Sequence, residues 1–245
     1  MDNSISLADI ASIIDISAVR TDVTLAEIEQ MVLLAKQYRF ICTFTMPCFT
    51  EKLIDMLKDE KDIMVGGVVG FPSGADTTSI KVATAKEMRM LGCNELDMVI
   101  NVGALKSGKY DKVKDDIKAV VEAADGLPVK SILEIAYLTS DEIVRGSEIA
   151  VEAGVSYVKT GTGWGNKPTT VEIIKLIKRT IGDSAKIKAA GGIRNLDTVI
   201  EMMEAGCSRF GIGLNSAISI MNEANKLLGK ETTGNNATLA LNDNY

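Results

Sequence analysis

Two lysines lie in short β-rich runs that end in glycine, Lys159 in VKTGTG and Lys188 in KAAGG. A carboxylate, Asp97, lies in a third run of the same kind, ELDMVIN. Burial and a second ammonium group nearby both lower the pKa of a lysine, and a neutral lysine amine can attack a carbonyl carbon. A neighbouring carboxylate supplies the opposite charge and a proton relay. These residue types therefore indicate Schiff-base chemistry, provided that the fold brings the three side chains together.

Strand periodicity predicts that these three side chains share one space. Successive side chains of a strand point to opposite faces, and the apolar set Leu96, Met98 and Ile100 is typical of a face that packs against helices. Asp97 then points to the inner face, and the same alternation directs both lysines inward. The predicted strands of the two lysines are neighbours, about 4.8 Å apart between backbones.

Two interpretations of this inner set remain open. Buried charges are costly unless they are paired or functional. In the first interpretation, the lysines serve chemistry at the carboxyl ends of the strands, where barrel enzymes place their active sites. In the second, the charges form a structural ion network whose members are Asp97, Glu134, Lys130, Lys159 and Lys188.

The elements that must position these residues alternate along the chain. Strict β–α alternation demands a parallel sheet, and eight units favour a closed (β/α)₈ TIM barrel of the α/β class over a doubly wound open sheet. We predict one barrel domain over residues 1–228 and a polar tail over 229–245. Strands are predicted at 13–19, 41–46, 64–71, 95–101, 129–136, 157–163, 186–193 and 209–214, and helices at 25–38, 77–91, 112–124, 141–153, 170–181 and 196–205.

Local signals mark several helix ends. Thr24 with Glu27 fits a capping box, and Ser140 with Ile143 fits one only weakly. Glycines follow three of the helices, as expected for left-handed C-caps, at Gly92, Gly154 and Gly206.

Composition excludes several classes of protein. The chain has no histidine, which excludes Ser-His-Asp and Cys-His nucleophile systems and any zinc site that needs imidazole. A net charge of −6 argues against a general nucleic-acid or membrane-surface binder. The four cysteines form no C-x-x-C pair, and we see no membrane span or export signal. We therefore expect a cytoplasmic protein with reduced thiols.

Glycine clusters follow the last three predicted strands. The loops after strands 7 and 8 of a barrel often bind phosphate through backbone N–H groups and a helix N-terminus. This pattern predicts an anion site at Gly191, Gly192 and Gly213, with Arg194 as a cationic helper. The alternative is that these glycines only make tight turns.

In combination, several motifs resemble the deoxyribose-phosphate aldolase family. They are IIDIS, GFPSGADTTSIKVATAKE, LDMVINVGALKSGKY, ILEIAYLT, VKTGTGW and KAAGGIR, and the resemblance runs from about residue 10 to 225. It implies a class I, Schiff-base aldolase on a barrel, without metal or cofactor. Such enzymes reversibly cleave 2-deoxy-D-ribose 5-phosphate to D-glyceraldehyde 3-phosphate and acetaldehyde.

The resemblance also implies roles for individual residues. Lys159 matches the Schiff-base lysine, Lys188 the second lysine that keeps it reactive, and Asp97 the acidic residue of the proton relay. Asp15 and Ser17 match positions of the substrate pocket. The implied partner is a small aldehyde or sugar phosphate, and the implied assembly is a homodimer.

This sequence departs from the family at positions that recognise substrate. Gly161 stands where the family has serine, and Gly211-Ile212-Gly213-Leu214 lacks the two serines of a G-x-S-S motif. Phe44 stands where members often carry cysteine or valine. The opening motif is IDIS, where members commonly read IDHT or IDLT. We expect weaker phosphate binding, with Lys167 or Asn215 in compensation. The alternatives are an aldolase for another phosphosugar or an unphosphorylated aldehyde, and a non-catalytic sugar-phosphate-binding barrel.

The tail ends in Tyr245. Some relatives also end in a tyrosine, which is thought to reach the barrel mouth. A phenol there could exchange a proton with the substrate. The alternative is a tail whose last residue is tyrosine by chance.

Overall fold

The structure, a computed structural model, describes residues 6–228. Within that range eight parallel strands close a barrel in sequence order, which confirms the TIM barrel and excludes the open sheet. The strands are β1 (Ile14–Ala18), β2 (Cys42–Thr45), β3 (Met64–Val69), β4 (Glu95–Val99), β5 (Val129–Ile132), β6 (Tyr157–Lys159), β7 (Lys186–Ala190) and β8 (Arg209–Gly213).

Helices surround the barrel. All six helices predicted from periodicity are present, with ends shifted by at most two residues. The helices are α1 (Leu7–Ala11), α2 (Leu25–Tyr38), α3 (Pro47–Leu57), α4 (Thr78–Leu91), α5 (Val102–Lys106), α6 (Tyr110–Ala124), α7 (Ser140–Glu152), α8 (Val171–Ile181), α9 (Leu196–Glu204) and α10 (Leu214–Leu227).

The predicted start of α2 is confirmed, and that of α7 is wrong by one residue. The Thr24 side chain accepts from the Glu27 backbone, and the Glu27 carboxylate accepts from the Thr24 backbone. For α7 the same reciprocal pair forms between Thr139 and Glu142, because the Glu142 carboxylate can accept from the cap backbone, whereas the Ile143 side chain has no acceptor. The three glycines predicted as C-caps all have positive φ, at Gly92, Gly154 and Gly206.

Several strands are shorter than predicted, because the chain leaves the sheet at the carboxyl edge of the barrel. The run over 129–136 ends as a strand at Ile132, since Glu134 adopts left-handed φ of 59° and Ile135–Tyr137 form a 3₁₀ turn. The run over 157–163 ends at Lys159. The residues beyond each strand build the loops around the barrel mouth.

The predicted facing of the strands is confirmed. Leu96, Met98 and Ile100 are fully buried in the apolar layer between strands and helices. The interior of the barrel holds charged side chains instead, and the register sets their levels. Lys159 lies beside Lys188 across β6 and β7.

No helix within residues 6–228 is long and apolar enough to cross a membrane. The predicted tail over 229–245, including Tyr245, lies outside the described residues.

Candidate active site

One carboxylate oxygen joins the two predicted lysines. Asp97 Oδ2 lies 2.7 Å from Lys159 Nζ and 2.7 Å from Lys188 Nζ. Lys188 Nζ also lies 2.6 Å from Asp15 Oδ2. The structure therefore brings the three predicted catalytic residues into one contact group, with Asp15 beneath Lys188.

A second layer of charges lies below this group. Arg209 extends inward from β8, and its Nη2 lies 2.5 Å from Asp15 Oδ1 and 3.0 Å from Glu95 Oε1. Lys130 forms an ion pair with Glu95, and its Nζ lies 3.3 Å from Asp97 Oδ1. Sequence reasoning did not select Arg209, although its parity with the glycines of RFGIG places it on the inner face.

The charges of these two layers balance without Lys159. Three buried carboxylates face three buried cations: Asp15, Glu95 and Asp97 against Lys130, Lys188 and Arg209. A protonated Lys159 adds one positive charge that no further carboxylate in the group offsets. The network therefore favours a neutral amine at this position.

The pKa values of the two lysines shift in opposite directions. The pKa of Lys159 is lowered to about 8, because burial, together with the positive charge of Lys188, outweighs the attraction of Asp97. Burial also acts to lower the pKa of Lys188, but Asp15 and Asp97 outweigh it and raise that pKa. The sequence predicted both causes, burial and repulsion between the lysines, and the structure makes burial the larger one.

Asp97 is held in its ionised form. Burial opposes ionisation, but Lys159, Lys188 and Lys130 together hold the pKa of Asp97 well below its usual range. An ionised carboxylate in contact with two amine nitrogens can accept a proton from either of them.

Glu134 does not take the place that the ion-network interpretation gave it. Its carboxylate accepts hydrogen bonds from the Thr162 hydroxyl and from the Thr162 backbone N–H at 3.2 Å. Burial raises the pKa of Glu134. Its left-handed backbone turns the side chain toward the loop after β6, so it orders that loop instead of neutralising the lysines.

A small cavity opens above the lysines at the carboxyl end of the barrel. Its wall includes both lysines, Asp15, Ser17 and Phe44. The predicted pocket position of Ser17 thus lies at the cavity, whereas the Asp15 carboxylate is already paired with Lys188 and Arg209. The remaining wall residues are Val19, Val68, Phe71, Thr162, Gly163, Ala190, Gly191 and Gly211.

An adjoining cavity lies at the predicted anion site. Gly191, Gly192, Gly213 and Arg194 line it, as the sequence suggested, and Ser216 lines it as well. Gly213, the N-cap of α10, makes no side-chain cap, so α10 begins at the wall of this cavity without a capping side chain on its first backbone N–H groups. Gly191 and Gly211 line both cavities, which therefore adjoin one another.

Two predicted helpers lie elsewhere. Lys167 lines a neighbouring depression together with Arg194, beside the glycine cavity. Asn215 lies in the first turn of α10, but Ser216 is the residue of that turn that lines the cavity. Sequence reasoning missed Ser216 because its direction depends on how α10 leaves the barrel.

One group of residues in the described part of the chain is spaced like metal ligands. Asp15, Cys42 and Glu95 place their donor atoms within 4.8 Å of one another. This set does not fit a cation, because Arg209 already pairs with both carboxylates and burial keeps the pKa of the Cys42 thiol well above its usual value.

Comparison with known proteins agrees with this geometry. The profile of the DeoC/LacD family aldolases matches residues 5–217. The deoxyribose-phosphate aldolase of Sinorhizobium medicae (strain WSM419) is 44% identical over 226 residues, which cover 92% of this chain and 91% of that protein.

Solved structures give the same result. One described as QR15, an aldolase, is 36% identical with a TM-score of 0.83 and covers 90% of this chain and 98% of that chain. The deoxyribose phosphate aldolase of Aeropyrum pernix, described as a unique tetrameric structure, is 25% identical with a TM-score of 0.82 and covers 91% and 93%. The resemblance seen in the motifs is thereby confirmed, and the chain belongs to the DeoC/LacD family of aldolases.

Proposed function

We propose that this protein is a class I aldolase that reversibly cleaves 2-deoxy-D-ribose 5-phosphate to D-glyceraldehyde 3-phosphate and acetaldehyde. The observation that carries the proposal is Lys159, whose pKa is lowered to about 8 at the floor of a cavity. The names of the relatives supply the substrate.

The first step joins substrate and enzyme. The neutral amine of Lys159 attacks the C1 aldehyde carbon of the open-chain sugar, and loss of water from the resulting carbinolamine gives an iminium. The leaving hydroxyl needs a proton, and the Lys188 ammonium, 2.7 Å from the shared Asp97 oxygen, is positioned to supply one through that carboxylate.

The second step breaks the C2–C3 bond. Its electron pair moves toward the iminium and forms an enamine, while the C3 hydroxyl loses its proton and becomes the aldehyde of glyceraldehyde 3-phosphate. Asp97 is the ionised base of this relay. Protonation of the enamine at C2 and hydrolysis of the new iminium release acetaldehyde and restore Lys159.

The proposed phosphate site differs from that of the family, because the two serines of the G-x-S-S motif are absent. The two cavities adjoin at Gly191 and Gly211, so a substrate bound at Lys159 can direct its phosphate toward the amides of Gly192 and Gly213. A hydrogen bond from each of the two absent serines to a charged phosphate oxygen would have contributed about 1.5–3 kcal/mol to binding. Ser216 and Arg194 supply one hydroxyl and one cation to the same cavity.

The test combines trapping with turnover. Borohydride reduction in the presence of acetaldehyde should add one ethyl group to Lys159, mapped by peptide mass, and Lys159→Leu should abolish both adduct and cleavage. An adduct on Lys188 or Lys130 would overturn the assignment. Cleavage of 2-deoxyribose and its 5-phosphate is then compared. Equal kcat/KM for the two would instead favour the second candidate, an aldolase for unphosphorylated substrates, which the missing serines suggest.

We further propose a cytoplasmic homodimer, although one solved relative is described as a tetramer. Sedimentation of the purified chain measures the assembly. The proton-exchange role predicted for Tyr245 lies outside the described residues and stays a prediction, tested by deuterium exchange into acetaldehyde with and without that residue.

A further inference from the structure

The ring of Phe44 borders the cavity above the lysines, among the charged side chains of the barrel interior. Phe44 belongs to β2 and is 3% exposed. Its ring centroid lies 4.2 Å from Lys188 Nζ, 5.4 Å from Lys130 Nζ and 6.0 Å from Lys159 Nζ. The ring is therefore a wall of the space into which a group bound to Lys159 must fit.

A glycine on the next strand makes room for this ring. Phe44 and Gly66 are register partners across β2 and β3. A Cβ atom at Gly66 would lie closer than 3.0 Å to three atoms of the ring. Any larger residue at this position forces the ring to move, and the cavity with both lysines lies on its other side.

The distance from the ring to Lys159 limits the size of the bound group. A carbon atom stacked on the ring stays about 3.5–4 Å from it, which leaves roughly 2–2.5 Å of the 6.0 Å between Lys159 Nζ and the centroid. With bonds of about 1.3 and 1.5 Å, the second carbon of an imine already lies about 2.4 Å from the nitrogen. A third carbon on this side of the chain meets the ring, so the rest of a longer substrate such as the sugar must leave the second carbon on the side of the open cavity.

We propose that Phe44 and Gly66 act as a pair that limits the nucleophilic donor of this enzyme to two carbons. The inference rests on the proposed function, since it assumes that Lys159 carries the donor. Phe44 determines specificity by its volume, and Gly66 determines where that volume lies.

The experiment measures the rate of aldol addition to glyceraldehyde 3-phosphate with acetaldehyde and with propanal as the donor, because the acceptor then occupies the open side of the second carbon and the propanal methyl must point to the ring. Borohydride trapping on Lys159 measures Schiff-base formation with acetaldehyde separately. One excess methylene in a tight apolar pocket typically costs about 10–200-fold, so the native protein should favour acetaldehyde at least about tenfold. Phe44→Val and Phe44→Leu should each reduce this preference to a few-fold. Gly66→Ala should slow trapping of acetaldehyde itself, and adding Phe44→Val to Gly66→Ala should restore it.

Phe210→Val is the matched control. Phe210 is fully buried in the apolar layer outside the barrel, so its loss costs packing without touching the cavity, and the preference should stay unchanged. The proposal for Phe44 and Gly66 would be overturned if both Phe44 variants kept the native preference for acetaldehyde. It would also be overturned if Phe44→Val did not restore the rate of acetaldehyde trapping in Gly66→Ala. Absence of any acetaldehyde adduct in the native protein would instead overturn the proposed function. The use of two Phe44 variants and a melting curve for each separates lost specificity from lost folding.

Discussion

Lys159 and Lys130 lie in the same barrel interior and are both buried, but their pKa values are shifted in opposite directions. Burial lowers the pKa of Lys159 to about 8, with one carboxylate in contact. Burial acts the same way on Lys130, but Asp97, Asp15 and Glu95 outweigh it and raise its pKa. Lys130 contacts two of these carboxylates.

The difference shows that burial alone does not make a lysine reactive. A buried ammonium group is stable where carboxylates surround it, and it loses its proton where the only nearby carboxylate is shared with other cations. The surroundings of Lys130 thus stabilise a charged ammonium group, whereas the position of Lys159, beside the cavity, favours a neutral amine.

Asp97→Asn should break this comparison most strongly, because Asp97 contacts all three lysines. We expect kcat to fall about 10²–10⁴-fold, the usual contribution of a general base, with a smaller change in KM. Asp116→Asn is the control, since Asp116 is a buried carboxylate paired with Lys81 at 2.6 Å outside the barrel interior. Normal turnover in Asp97→Asn would remove this residue from the relay.

Methionine substitutions at Lys130 and at Lys159 should change the free energy of unfolding in opposite directions. Lys130→Met leaves Glu95 without its lysine and should lower the free energy of unfolding by about 3–5 kcal/mol.

Lys159→Met should instead raise the free energy of unfolding at pH 7, by up to about 3 kcal/mol. A lysine whose folded pKa is lowered to about 8 from 10.5 destabilises the fold below pH 8. That penalty disappears as the pH rises from about 8 to 10.5, so the advantage of the variant should shrink over this window. Urea unfolding of both variants at pH 7 and pH 10 measures the difference, and destabilisation by both would contradict it.

Lys188→Met should sharpen the comparison with a smaller effect. Removal of the neighbouring positive charge raises the pKa of Lys159, so the rise of the Schiff-base rate with pH moves to higher pH. At pH 7 the rate should be about tenfold lower, as expected for one pKa unit. Lys186→Met, at the exposed start of β7, is the control. Superimposable pH profiles for the native protein and Lys188→Met would contradict the proposed coupling.

Periodicity was sufficient for the fold and for the inward direction of the chemical residues. Alternation within ELDMVIN and VKTGTG directed Asp97 and Lys159 to one space, because side-chain parity in a strand is a local property. At Glu134 the alternation of a strand no longer predicts the direction of the side chain. The strand ends at Ile132, and the left-handed turn at Glu134 follows from the loop that it contacts.

The sequence by itself therefore determined the barrel, the facing of its strands and the identity of the lysine pair. Only the tertiary structure decided which carboxylate pairs with which cation, since ion pairs across a closed barrel depend on the register of strands far apart in the chain. Asp15 and Arg209 meet in this way across 194 residues. The lowered pKa of Lys159 was likewise decided there, because it depends on how completely the folded barrel buries the amine and on how many cations share Asp97.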